Sequence, residues 1–360
     1  MRRSIEAGEL RPGDKLPSGD ALAAEWKVNR LTAHRAVSEL QRLGLVIRNG
    51  RSGTIVTMPR AKATGHIALL SAFLNIFPHF EYIRGMRSEL PEAYHLLLCE
   101  TGDDPRLEAD YLERVQYEVD GILCNPTCAP ENTALLQRII DAGVPIVCVD
   151  KAPEGLTADA VMTDNHGSTL AAMRQIIARG HTRIAFFSDN NLEASSVVER
   201  YSGYKDALQE IGVADPSKWT RHFPIWSRGL TMQDEADFEM IVQLVQDALD
   251  SLMHRPEPPT AVFCIQDKHV DAVMEAARRL EINVPDQLTV VGFSDWPNMV
   301  PHLSSSIQLT TDRIVQRKFE IGQQSVRRLL SRIERPTDAA DIDHAPAIIR
   351  VPADFFPAGQ

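Results

Sequence analysis

The pattern between residues 66 and 292 constrains the fold more than any other feature of the chain. Short apolar runs recur at 67–71, 95–99, 121–124, 145–149, 183–187, 261–265 and 288–292. Between them lie stretches with helical periodicity at 80–90, 106–117, 134–142, 168–179, 198–211, 235–253 and 270–280. An apolar run followed by an amphipathic helix reads as a buried parallel strand with its crossover. The expected class is α/β, with parallel sheets covered by helices on both faces. About 290 residues exceed one hydrophobic core, so two lobes are expected. In such folds ligands bind beyond the carboxyl ends of the strands.

Taken alone, the net charge of −11 argues against a nucleic-acid partner. Its distribution argues otherwise. Residues 1–64 carry 12 Lys+Arg against 6 Asp+Glu, a net of +6, and the remaining chain carries −17. A small basic head therefore precedes a large acidic body. No run of about 18 apolar residues occurs, so no spanning helix and no membrane partner is expected. The first fifteen residues lack an apolar core, so no export signal is expected. Cys99, Cys124, Cys128, Cys148 and Cys264 are odd in number and sit mostly in apolar runs. That favours a reducing cytoplasm over a disulfide framework. Cys124 and Cys128 form a lone CxxxC with no second ligand pair, so neither a metal nor a cofactor is expected.

The head reads as a helix-turn-helix with a wing. Residues 18–26 form a first helix, with Ser18 as N-cap and Leu22, Ala23 and Trp26 as its apolar face. Residues 30–43 form a second helix, with Asn29 as N-cap and Ala33, Ala36, Val37, Leu40 and Leu43 turned inward. Its other face shows Arg30, Thr32, His34, Arg35 and Arg42. Residues 28–31 join the two helices tightly, and Gly44 ends the second. Residues 45–48 and 53–56 alternate like a hairpin around the basic tip Asn49-Gly50-Arg51-Ser52.

Recognition helices place their N-terminal residues against base edges. Arg30 and Arg35 can donate bidentately to guanine, and Thr32 can meet a phosphate or a thymine methyl. His34 shares their face. Arg51, with Ser52 and Gly53 on the wing, can reach the backbone or minor groove. The start of the helix after Ser18 offers NH donors to a phosphate.

These residues carry a resemblance. Gly8-Glu-Leu-Arg-Pro-Gly-Asp-Lys-Leu-Pro-Ser18, Leu22-Ala, Val28-Asn-Arg-Leu-Thr-Ala-His-Arg-Ala-Val37, Glu39-Leu, Gly44-Leu-Val and Gly53-Thr-Ile-Val56 resemble the GntR-type winged helix-turn-helix over about the first 57 residues. Such domains usually begin with a longer helix than the 2–7 segment here. The resemblance implies binding to double-stranded operator DNA. A single small module buries too little surface for strong specific binding, so a homodimer is expected.

Residues 57–65 lack periodicity and read as a linker. The expected organisation is a head over 1–57, a linker over 58–65 and a two-lobed effector-binding and dimerisation domain over 66–360. No GxGxxG follows a strand, and no P-loop, GxSxG or HExxH occurs. Gly85 and Gly102 are isolated, and the body's histidines are scattered. Polar residues instead gather at strand ends: Asp150, Gln266 with Asp267, and Ser294 with Asp295. Arg200 opens a helix three residues before Gly203. Carboxylates and a guanidinium can bracket hydroxyls, and Phe73, Phe77, Trp296 and Trp226 offer ring faces for stacking.

A second resemblance runs through these positions. Asn75-Ile-Phe77, Leu97-Leu-Cys99, Gly121-Ile-Leu123, Pro145-Ile-Val-Cys-Val-Asp150, Asp164-Asn165, Gly180-His-Thr-Arg-Ile-Ala185, Arg200-Tyr-Ser-Gly-Tyr204, Pro259-Thr-Ala-Val-Phe263, Val284-Pro285 and Val290-Val-Gly-Phe293 resemble a LacI/GalR-type effector domain with the periplasmic-sugar-binding-protein-like fold. The resemblance implies a small carbohydrate or derivative bound between two lobes. It gives Asp150 and Arg200 to sugar oxygens and Asn75 and Phe77 to the first-lobe wall. Gln266 stands where Asn is usual, and Ser294 where Asp is common, which points to a modified or larger ligand than a plain pyranose.

The expected function is a ligand-responsive transcriptional regulator, by family default a repressor released by its effector. Lobe closure would alter the spacing of two heads. An α/β enzyme acting on a sugar-like substrate, with an appended head, is the alternative, and it lacks a nucleophile–base pair or cofactor motif. The basic head argues against a pure transport protein.

Overall fold

The computed structural model describes residues 1–6, 9–11, 13–42, 45–49, 53–56, 63–72, 74, 77–190, 195–213, 215–225, 234–293, 310–334 and 345–359. In the head, helix α1 (Arg2–Glu6) precedes α2 (Gly19–Trp26), α3 (Arg30–Arg42) and the strands β1 (Val46–Asn49) and β2 (Gly53–Val56). Ala33, Val37 and Leu40 are buried along one side of α3, as their spacing of four and three requires. They pack with Ile5, Leu16, Leu22, Leu45, Val46 and Val56 into a core of their own. β1 and β2 pair antiparallel, from Val46 opposite Val56 to Asn49 opposite Gly53. Gly53 has a φ of +90°, a conformation that favours glycine where the chain re-enters β2.

The body continues with β3 (His66–Ser71), α4 (Phe77–Glu89), β4 (His95–Glu100), α5 (Pro105–Val115), β5 (Gly121–Cys124), α6 (Pro130–Asp141), β6 (Ile146–Val149) and β7 (Asp159–Thr163). There follow α7 (Asn165–Ala178), β8 (Ile184–Asp189), α8 (Ser195–Glu210), β9 (Thr220–Phe223), α9 (Glu235–Met253), β10 (Ala261–Cys264), α10 (Asp267–Arg279) and β11 (Thr289–Phe293). The described chain closes with β12 (Asp312–Val315), α11 (Lys318–Ile333), β13 (Ile348–Val351) and β14 (Asp354–Phe356). Two compact units result: Met1–Met162 with Lys318–Ile349, and Thr163–Arg317 with Arg350–Gln360.

The first six-stranded sheet has the order β13-β7-β6-β5-β3-β4, and β7 through β4 run parallel. The second has the order β14-β12-β11-β10-β8-β9, parallel except for the antiparallel β14 edge. Alternation along β8 explains how both faces of that sheet are covered. Ile184 and Phe186 pack with Ala172, Ile176, Tyr204 and Leu208 from α7 and α8. Ala185 and Phe187 pack with Val242, Val245, Val273 and Ala276 from α9 and α10. Each large apolar side chain among them contributes roughly 1.5–3 kcal/mol on removal from water, and each alanine less.

In the first unit, α4 and α11 approach closely through glycines. A Cβ on Gly85 would lie 1.9 Å from the Phe319 carbonyl oxygen, and one on Gly322 would lie 2.2 Å from that of Tyr82. Gly85, isolated in the sequence, is therefore a packing residue.

Several boundaries differ from expectation, and proline accounts for two of them. Helices α5 and α6 begin at Pro105 and Pro130, earlier than the periodicity indicates. Proline suits a first helical turn, whose N–H has no intrahelical partner. Helix α10 begins at Asp267, so that residue lies in the helix rather than in the preceding loop. β7, β9 and everything after β11 are additions to the sequence reading.

Candidate functional site

In the head, the cap residues are placed as their chemistry requires. Ser18 Oγ accepts from the Ala21 N–H at 3.2 Å. Asn29 Oδ1 accepts from the Thr32 N–H at 2.8 Å and from the Thr32 hydroxyl at 2.9 Å. The Thr32 hydroxyl is thus engaged in starting α3. Arg30, Thr32, His34 and Arg35 are all exposed. By helical spacing Arg35 lies opposite the buried residues of α3, Thr32 and His34 flank them, and Arg30 stands in the first turn at the N-terminal end of their stripe. Arg30 forms an ion pair with Asp20 of α2, Nε to Oδ1 2.9 Å. Leu31 is 62% exposed beside it, an apolar surface fit for a thymine methyl. Ser18 and Gly53 are exposed as well, while Arg51 and Ser52 lie outside the described residues.

In the first body unit, Asp150 directly follows β6 and is half-buried. Its φ of +71° is an uncommon conformation for a side-chain-bearing residue, one that Asp tolerates better than most. Its backbone N–H donates to the Val161 carbonyl at 2.8 Å, and its Oδ1 accepts from the Tyr82 hydroxyl of α4, also at 2.8 Å. The carboxylate is therefore aimed by both β7 and α4. Phe73, Asn75 and the side chain of Phe77 lie outside the described residues. Nearby, Glu108 is fully buried and accepts from the Thr127 N–H, the Thr127 hydroxyl and Asn132 Nδ2 at 2.6, 2.9 and 2.7 Å. That network ties the segment after β5 to α5 and α6.

In the second unit, Arg200 is buried on α8 and held on several sides. Nε donates to Asn165 Oδ1 at 2.8 Å, Nη1 donates to the Ile265 carbonyl, and the guanidinium carbon sits 3.7 Å above the Phe293 ring. Its place is fixed by α7, by the end of β10 and by β11 together. At the end of β8, Asp189 is buried and pairs with Lys268 Nζ at 2.6 Å. Gln266 Nε2 lies 3.5 Å from the same carboxylate. The Ser188 hydroxyl, one residue earlier, is 2.6 Å from His222 Nδ1. Ser294, Asp295, Trp296 and Trp226 lie outside the described residues.

The first turns of α10 bury two further titratable groups. Neither ring nitrogen of His269 makes a well-formed hydrogen bond, and burial pushes its pKa down to about 4. Asp271 Oδ2 is likewise without a partner, and burial, reinforced by Asp267, pushes its pKa up to about 7. A pocket of about 420 Å³ lies elsewhere in this unit, lined by Asp164, His166, Val198, Glu199, Ser202 and Arg350. Its charges are committed locally. Arg350 pairs bidentately with Glu199 at 2.9 Å, His166 pairs with Asp206 at 2.7 Å, and Asp164 caps α7 through the Gly167 N–H. It includes neither Arg200 nor Gln266 and Asp267. The five cysteines are free thiols, and burial pushes Cys148 up to about 12. Among the described residues no group of His, Cys, Asp and Glu could hold a metal, and no helix is long and apolar enough to cross a membrane.

Residues 1–56 match the model of the GntR family of bacterial regulatory proteins, and residues 173–350 match a periplasmic-binding-protein-like domain. The arabinose metabolism transcriptional repressor of Geobacillus stearothermophilus is 27% identical over 96% of this chain and 93% of its own. The ribose operon repressor of Escherichia coli K12 is 30% identical over 75% of each chain. The chain belongs to the bacterial transcriptional regulators that join a GntR-type head to a periplasmic-binding-protein-like body. Among solved structures, the regulator CelR in its complex with cellobiose shares the fold, with a TM-score of 0.63 and 21% identity over 96% of this chain and 99% of the other.

In this regulator, the sequence pointed to Asp150 and Arg200 but not to the residues that hold them, Tyr82 and Asn165. Asp189 was not among the strand-end residues named from the sequence. It closes an apolar strand in the same way as Asp150, so the strand-end rule could have found it.

Proposed function

We propose that this regulator binds operator DNA through α3 and the wing as a homodimer, and that a carbohydrate or carbohydrate derivative bound by the body changes its DNA affinity. The observation that carries the reading is the exposed Arg30 at the first turn of α3, with His34 and Arg35 exposed beyond it, on a helix-turn-helix with its own core. The proposed DNA contacts are Ser18, Arg30, Thr32, His34, Arg35, Arg51, Ser52 and Gly53. Thr32, its hydroxyl and backbone N–H both committed to Asn29, contributes its methyl. The proposed effector contacts are Asp150, Arg200, Gln266 and Asp267 with Phe73, Asn75, Phe77, Ser294, Asp295 and Trp296. The domain boundaries proposed are 1–57, 58–65 and 66–360.

The names of the relatives support a pentose-class or related sugar ligand and repression as the output. Effector and DNA are coupled by about 1–3 kcal/mol, the usual size of such linkage. The need to reach DNA places the chain in the cytoplasm, and the reading assigns it binding rather than catalysis. The test is a thermal-shift screen over sugars and sugar phosphates, followed by duplex binding at several salt concentrations. A ligand that binds only the folded chain raises its melting temperature. Binding to a selected duplex falls steeply with salt if α3 and the wing neutralise phosphates; a curve flat in salt contradicts the DNA reading.

A further inference from the structure

One acidic side chain of the basic head is paired with an arginine of the recognition helix. Asp20 lies in the first turn of α2, where Ser18 supplies the cap and a carboxylate adds a modest favourable interaction with the helix dipole. It is paired with Arg30 at 2.9 Å, and the two side chains are 65% and 77% exposed. A pair so open to water adds little to stability. An anion beside phosphates also weakens non-specific attraction. Arg30, its partner, is the first residue of the recognition helix, at the end that meets base edges.

We propose that Asp20 is a positioning residue for base recognition, fixing the guanidinium of Arg30 so that it reads one guanine. This rests on the reading of the head as a DNA-binding module. The Asn29 cap fixes the backbone at the start of α3, and Asp20 holds the other end of the side chain at Nε. A long arginine anchored at both ends presents its Nη fork in one plane. That fork matches guanine O6 and N7 bidentately, and planarity is what distinguishes the match from simple charge attraction. The acid lowers attraction to any phosphate backbone while sharpening the contact to one base. It therefore raises the ratio of specific to non-specific binding.

The test uses the full chain and a duplex enriched from a random pool by the wild-type protein, with every base pair of that duplex then substituted in turn. Arg30→Ala identifies the base pair that Arg30 reads. Asp20→Asn is expected to hold or raise affinity for an unrelated duplex, and to lower discrimination at that one base pair by about tenfold. Asp20→Glu keeps a carboxylate and is expected to retain most of the discrimination. In the Arg30→Ala background, Asp20→Asn is expected to change no base preference. The proposal is overturned if Asp20→Asn leaves discrimination intact or weakens it equally at all positions. It is also overturned if no base pair depends on Arg30, or if Asp20→Asn alters a second base pair without Arg30, which would make Asp20 a direct reader of cytosine. A wild-type chain that enriches no duplex would instead overturn the DNA-binding reading itself.

Discussion

The guanidinium carbon of Arg200 sits over Phe293, 3.7 Å from the ring centroid, while its Nε donates to Asn165 Oδ1 at 2.8 Å. A cation so packed and bonded has one orientation, and its neighbours depend on it. Arg200→Ala leaves the Ile265 carbonyl and Asn165 Oδ1 without a donor, at a loss on the order of 3 kcal/mol. Arg200→Lys keeps the charge but not the fork, and about half of that loss is expected. Urea unfolding of the two variants checks the order.

Helix packing in the first unit gives a sharper contrast. Gly85 is packed against the Phe319 carbonyl, whereas a Cβ on Gly102 would meet nothing within 4 Å. Gly85→Ala is expected to destabilise by about 3 kcal/mol through forced separation of α4 and α11. Gly102, at a φ of +60°, is expected to lose only about 1 kcal/mol on change to Ala, from backbone strain alone. Equal losses in a denaturant titration would contradict the packing role of Gly85.

The buried pair on α10 sets the pH dependence of stability. Asp271 keeps its proton in the fold up to about pH 7, against an ordinary value of 3.8. Its contribution is therefore full below the ordinary value and is lost as pH rises through the folded one. His269 stays neutral in the fold down to about 4, against 6.5. Its effect is the reverse: stability falls as pH drops from the ordinary value to the folded one. The two slopes oppose each other in the wild type. Asp271→Asn removes one of them, leaving stability that rises by on the order of 3 kcal/mol across the His269 window. It is also expected to exceed the wild type above pH 7 by a similar amount. Unfolding midpoints measured across that range check both signs.

Much of this was legible in the sequence because it is local. Asn29 precedes an amphipathic run, so the start of α3 could be read from the cap and the spacing. Most strands of the two sheets announce themselves as apolar runs because both of their faces are covered. The edges do not. β9 reads Thr-Arg-His-Phe, and β14 reads Asp-Phe-Phe, and each is a strand only because β8 or β12 lies beside it. β7 was hidden by Asp159, a carboxylate that enters the core because Arg328 and Arg332 meet it at 2.7 and 2.6 Å from a helix about 170 residues later. The site divides in the same way. Asp150 and Arg200 stand out by type and position. Tyr82 and Asn165 act on them from other helices, and no local pattern records such a contact.

The central claim is that one chain both reads DNA and senses a small ligand. Fluorescence anisotropy of the full chain on its selected duplex, with and without the sugar that most raises its melting temperature, tests this most directly. The wild type is expected to change its affinity at least about fivefold on adding the sugar, the lower end of typical coupling. Arg200→Lys is expected to bind the duplex as the wild type does and to ignore the sugar. An affinity that no sugar moves, or an Arg200→Lys chain that responds like the wild type, would contradict the account.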